Sequence, residues 1–179
     1  MRVRWDPNVR TRHLVAIITL ALGSVALLTG FSVSRLLGVK LAAKHRAQES
    51  LADSLFLIAQ RVISERPGTE ALTVISKDTT VRELLSTYTG PNREFAYTAL
   101  VKVDGTPIIE FGERGNTPPA PLETLENAFW PSQLWRLWWN KSSYELRSEL
   151  KLNNQPFAQI IARVSGRDIR RELSNAFDR

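Results

Sequence analysis

The chain has 179 residues, 43% apolar and 23% charged, with a formal net charge of +6. That suits one membrane segment plus one domain of ordinary size, and it is too apolar for a disordered chain. The positive excess is uneven: residues 1–46 carry eight Lys/Arg against one acid, and residues 47–179 carry sixteen against seventeen. The downstream domain therefore lacks the basic stripe that a nucleic-acid partner requires, and the absence of cysteine excludes disulfides, thiolate zinc sites and thiol nucleophiles.

Residues 14–34, "LVAIITLALGSVALLTGFSVS", are an uncharged run of 21. At 1.5 Å per residue they span roughly 30 Å, the thickness of a bilayer core. A cleaved signal is the competing reading, but signal h-regions are shorter and no A-x-A site follows. The expectation is an uncleaved helix over 14–38 behind a basic tail at 1–13. Four basic residues lie on each side of the run, so the positive-inside count is nearly balanced. A short basic tail is easily retained, which places the N-terminus in the cytoplasm and the domain outside the inner membrane. Trp5 suits the cytoplasmic interface. Gly23, Ala26 and Gly30, at 3–4 spacing, would let a second helix approach closely.

From Lys40 to Glu65 the pattern predicts a stalk helix over about 39–66. Leu51, Leu55, Ile58 and Val62 recur at spacings of four, three and four. They form either the seam of a homodimeric coiled coil or the face laid on the domain's own sheet. "RPG" at 66–68 stops the helix. A short helix is expected over Thr80–Thr87, with Asp78, Thr79 or Thr80 as its cap. "FAYTALVKV" (95–103), "DG" (104–105) and "TPIIEFG" (106–112) read as a strand hairpin. "ERGNTPPAP" (113–121) is a loop and "LETLENAF" (122–129) a short helix.

The stretch "FWPSQLWRLWWN" (129–140) holds four of the five tryptophans. Propensity and the short "NKSS" link favour a strand over 133–139, completing a three-stranded meander with at least two indoles in the core. The alternative is a helix opened by Pro131, whose apolar arc of roughly 200° is wider than one stripe and leaves an indole free for a partner, ligand or lipid. "SYELRSELKL" (143–152), a turn at "NNQP" (153–156) and "FAQIIARVS" (157–165) form a second hairpin. Ser165 caps a final amphipathic helix with Ile169, Leu173 and Phe177 on one face. The expected class is α+β, one antiparallel sheet with helices on one face.

The run of a membrane helix into a long helix, then "ALTVISKDTTVRELLS" (71–86), "YTALVKVDGTPIIEFG" (97–112) and the strand-to-helix "QPFAQIIARVSGRDIRREL" (155–173), resembles the extracytoplasmic Cache (PAS-like) sensor regions of bacterial transmembrane two-component histidine kinases. The resemblance implies a sensor domain over 67–166 and a C-terminal helix, 167–179, leading toward a second membrane span. Any kinase activity would lie beyond Arg179. The family's organic-acid and amino-acid motifs are absent, so the resemblance does not name the ligand.

No catalytic constellation, phosphate loop or cofactor motif is present. The two histidines, His13 and His45, flank the membrane helix and read as polar side chains reaching toward water. Arg93, Tyr97, Lys102, Tyr144 and Arg147, in or beside the strands, are the candidate polar groups of a small-molecule pocket, with Trp135 and Trp138 as a possible cage for a cation. Two functions compete: a signal-input module, and a non-enzymatic bitopic assembly protein of a secretion or division complex.

Overall fold

The computed structural model describes residues 7–65, 71–91, 93–115, 117–139, 142–152 and 155–177. Trp5, the "RPG" stop with the stalk boundary at 66–70, Asn140 and Lys141 of the "NKSS" link, and Asn153 and Asn154 of the second hairpin lie outside the described residues. The chain is α+β. A first helix, α1 (Pro7–Glu65), is followed by α2 (Ala71–Lys77), α3 (Thr79–Tyr88), β1 (Tyr97–Lys102), β2 (Pro107–Gly112), β3 (Ala120–Pro121), α4 (Glu123–Glu126), α5 (Trp130–Trp139), β4 (Ser143–Leu152), β5 (Gln155–Ser165) and α6 (Gly166–Phe177).

α1 runs for 59 residues, about 90 Å at 1.5 Å per residue. Its first half is long and apolar enough to cross a membrane, and its apolar side chains there are exposed. From Leu37 onward the helix is one-sided. Leu37, Leu41, Lys44, Gln48, Leu51, Leu55, Ala59 and Val62 recur every three or four residues and are all buried. Spacing of this kind puts one stripe on one face, and that stripe is a wall of the core formed with the sheet, α3 and α6. Of the two roles open to Leu51, Leu55, Ile58 and Val62, the structure takes the intramolecular one. Leu51, Leu55 and Val62 are buried in the domain's own core and Ile58 packs against it, so the seam that a coiled coil would need is already covered.

Asp78 caps α3: its Oδ1 accepts from the backbone N–H of Thr80 at 2.7 Å and of Val81 at 3.3 Å. The short helix α2 before it was not anticipated. The "DG" turn is as expected, with Gly105 at φ +86°, a conformation open to glycine without strain. Asp104 Oδ1 accepts from the Thr106 N–H at 2.8 Å.

Among the described residues the sheet has the order β2-β1-β5-β4-β3. β5 is the centre, antiparallel to β1 (Ala99↔Ile161) and to β4 (Leu146↔Ala162). Ala158, Ile160, Ala162 and Val164 point from β5 into the helical layer, and Tyr144, Leu146 and Leu150 do so from β4. Tyr97, Ala99 and Val101 form a small second cluster with Ile161 on the opposite face. One expectation is corrected here. The sheet is mixed, because β3, inside what read as a loop, pairs parallel to β4 (Ala120↔Tyr144, Pro121↔Glu145).

The tryptophan stretch is a helix, α5, not a strand. β3 takes the first two positions of that edge, Tyr144 and Glu145, where a 133–139 strand would have begun its pairing with β4. The Phe129 carbonyl accepts from Ser132 N–H at 2.8 Å and Gln133 N–H at 3.0 Å, opening the helix around Pro131, where a missing N–H costs nothing. Tertiary bonds then hold it: Gln133 Nε2 donates to the Glu126 carbonyl, and Arg136 donates to that of Thr124, both at 3.0 Å. Leu137 is fully buried, whereas Trp135, Trp138 and Trp139 are exposed, so the expected burial of at least two indoles is also corrected. α6 begins as expected, the Arg167 N–H donating to Ser165 Oγ at 3.2 Å. Ile169 and Leu173 are buried, and the Phe177 side chain is outside the described set.

Candidate functional site

Among the described residues, the outer edge of β4 beyond Glu145 has no strand beside it, because β3 pairs only with Tyr144 and Glu145. α1 passes alongside this edge, and between them lies a cavity of about 490 Å³. α1 contributes His45, Gln48 and Glu49, which the helical repeat sets on one side. β4 contributes Glu145 to Ser148, and the β3–α4 corner closes the end with Pro121, Leu122 and Glu123. The Leu122 N–H donates to the Glu145 carbonyl at 3.0 Å, fixing that corner. A narrower groove of about 210 Å³ continues along the same edge between Glu49, Asp53 and Phe56 of α1 and Ser148 to Lys151 of β4.

Gln48 is 4% exposed, and its side-chain Nε2 has no hydrogen-bond partner among the described residues. A buried amide donor left without a partner costs about 1–3 kcal/mol, so Gln48 is a residue of the cavity lining that a polar partner would stabilise. His45 Nε2 lies 2.9 Å from Glu126 Oε1 of α4.

Glu145 links the cavity to the outer face of the sheet. Its Oε1 accepts from Arg147 Nε at 2.6 Å and its Oε2 from Arg163 Nε at 2.9 Å. The Arg163 guanidinium sits 5.0 Å over the Tyr97 ring and also donates to the Arg114 carbonyl at 2.6 Å. The Tyr97 hydroxyl donates to Glu110 Oε1 at 3.0 Å. Burial, then this hydrogen bond, pushes the Tyr97 hydroxyl up to about 12. Burial also raises the Tyr144 hydroxyl.

Of the residues singled out in the sequence, Tyr97 and Arg147 belong to this one network, and Arg147 lines the cavity. Tyr144 is buried on the opposite face with the main core. Arg93 is exposed in the turn after α3, and Lys102 is exposed at the end of β1. Trp135 stacks on Trp139 at 4.5 Å and, like Trp138, lies on the exposed side of α5. His45, Gln48, Glu145 and Arg163 were missed. A signal existed for Gln48: with Lys44 it interrupts an otherwise apolar repeat from Leu37 to Val62. A polar residue in a core stripe needs a partner. Among the described residues no group of three or more His, Asp or Glu is placed to hold a metal.

Gly30 is not free for a second membrane helix. A Cβ there would overlap the Trp130 ring, whereas Gly23 has open space around it and Ala26 is exposed. Comparison with family models, curated proteins and solved structures finds no match to this chain.

Proposed function

We propose that this protein is a membrane-anchored signal-input module, the role that its resemblance to Cache sensor regions implies. α1 crosses a bacterial inner membrane with its N-terminus in the cytoplasm, and the sheet domain samples the extracytoplasmic side. The observation that carries this reading is the position of the cavity. One wall is α1 itself, the same unbroken helix that bears the apolar run. A small polar molecule seated against His45, Gln48 and Arg147 acts directly on the membrane helix, with no intervening linker. The buried Lys44 supports the coupling. It pairs with Glu172 of α6 and with Glu94 before β1, both at 3.0 Å, and Lys40 reaches the same Glu172 at 3.6 Å. α6 is thus tied to α1, and occupancy of the cavity is read out as a joint displacement of both helices. In the receptors that it resembles, the output is a kinase.

A thermal-shift screen of the detergent-solubilised full chain tests the reading, using amino acids, organic acids and cationic compounds. The expected result is a hit whose stabilisation disappears in Gln48→Leu, which keeps the side-chain volume and removes the amide. Absence of any shift, or a shift unchanged in that variant, refutes the small-molecule site. The rival role, a bitopic assembly protein, is favoured by the free edge of β4 beyond Glu145, which an extended partner segment would pair with. It predicts co-purifying protein and no small-molecule shift.

A further inference from the structure

α5 is tied to α1 at a defined height. The Trp130 ring lies on Gly30, and Ser34 Oγ donates to Gln133 Oε1 at 2.9 Å. Gly30 and Ser34 form the last turn of the uncharged 14–34 run. α5 therefore sits where the apolar part of α1 ends, within about one helical turn, or roughly 5 Å, of that boundary.

The outward side of α5 is unusual for a water-facing surface. Phe129 is 71% exposed, Trp135 62%, Trp138 43% and Trp139 68%. After residue 40, the other exposed large apolar side chains among the described residues are Leu57 and Val103, which stand singly. Four of six in one short segment make a patch, and a patch of this kind marks a docking surface. Continuity decides what it docks on: the dense run of exposed apolar side chains of α1, Leu14 to Phe31, ends one residue past Gly30, where α5 begins to pack, and beyond it Val39 and Leu57 are exposed only singly. Arg35, the first charge after the run, is exposed at the same level. Arg170 reaches the far end of α5 and donates to the Trp138 carbonyl at 3.0 Å. Indoles, with an apolar ring and one N–H donor, are most favourable at the headgroup boundary, and arginines there meet lipid phosphates.

We propose that α5 is an interfacial anchor. Phe129, Trp135, Trp138 and Trp139 seat in the headgroup–acyl boundary of the leaflet that α1 leaves, so the domain is held against the membrane surface at a second point. This rests on the reading of α1 as a membrane span. The helix lies in the surface rather than across it, since ten residues are too few to span. The two attachments, one through the bilayer and one on it, fix the domain's rotation about α1.

The chain has no cysteine, so single-cysteine nitroxide labels report without background. Leu22→Cys, Trp139→Cys and Lys102→Cys are labelled in the full chain in phosphatidylcholine–phosphatidylglycerol vesicles, and accessibility to oxygen and to a water-soluble nickel chelate is measured. Lys102 pairs with Ala158, eight residues along β5 from Gly166, beside which Leu137 of α5 packs. That separation is roughly 25 Å, which makes Lys102 the water-exposed control. The expected result is a label at 22 in the hydrocarbon, and a label at 139 at intermediate depth with chelate accessibility several-fold below that at 102. If 22 is in hydrocarbon but 139 matches 102, the anchor is refuted and the membrane span survives. If 22 is reached by the chelate like 102, the span itself is refuted and the anchor with it. Spin–spin broadening at 139 that vanishes on dilution with unlabelled chain refutes the lipid contact in favour of a second copy.

Discussion

Glu145→Gln tests whether the outer-face network holds the central strand in place. The change keeps the side chain's shape and removes its charge, leaving the Arg163 guanidinium without its carboxylate. Glu145 and Arg163 side chains are 6% and 12% exposed, so their contact at 2.9 Å is a desolvated one. Removing one partner of such a pair costs about 3–5 kcal/mol when nothing compensates. Here the Arg114 carbonyl and the Tyr97 ring still hold Arg163, and together they recover about 1–2 kcal/mol. The expected loss is about 2 kcal/mol, which is roughly a 30-fold change in an opening equilibrium. Arg147 contacts the same carboxylate at 2.6 Å, but its side chain is 66% exposed, so Arg147→Ala should cost about 0–1 kcal/mol. Amide hydrogen exchange of β5 peptides in the detergent-solubilised chain reads the difference, because β5 lies between the strands the network joins. Equal, small effects of the two substitutions would refute the view that the Arg163 contact, rather than the count of ion pairs, carries the energy.

Two further outcomes follow from local geometry. Asp78→Ala removes both bonds to the first turn of α3 and should lower stability by about 1 kcal/mol, seen as faster exchange in 79–88 with β5 little affected. The Tyr97 hydroxyl, raised from 10.0 to about 12, makes the fold favour its neutral form. Its contribution is complete below pH 10 and is lost as pH rises toward about 12. A plot of stability against pH should therefore fall less steeply over that window in Tyr97→Phe than in the parent chain; equal slopes would contradict the assignment.

The elements legible in the sequence are those whose cause is local. The uncharged run, the Asp78 cap, the "DG" turn and the strand at 143–152 each rest on one continuous segment of chain, and the structure contains all four. What was not legible depends on distant partners. β3 is two residues long and exists only because β4 offers an edge to Ala120 and Pro121. α5 has strand-like residues by propensity, but β3 takes the start of the β4 edge at Tyr144 and Glu145, and as a helix the segment buries Leu137 and gives Gln133 and Arg136 backbone partners. The helical alternative did carry one correct consequence, a surplus of aromatic surface. The cavity was illegible for the same reason: nothing within 39–66 says that this helix will run beside β4. His45, read as a membrane-flanking residue, turned out to face Glu126, 81 positions away.

The unbroken course of α1 makes the protein sensitive to helical phase. α5 grips α1 at Gly30 and Ser34, while the core grips it from Leu37 to Val62. One residue added between Ser34 and Leu37 would turn the two grips apart by about 100° and lift one from the other by about 1.5 Å. Seven added residues would nearly restore the angle but separate the two grips by about 10 Å along the helix. No insertion satisfies both, so the short segment Arg35–Leu36 acts as a gauge that sets angle and height together.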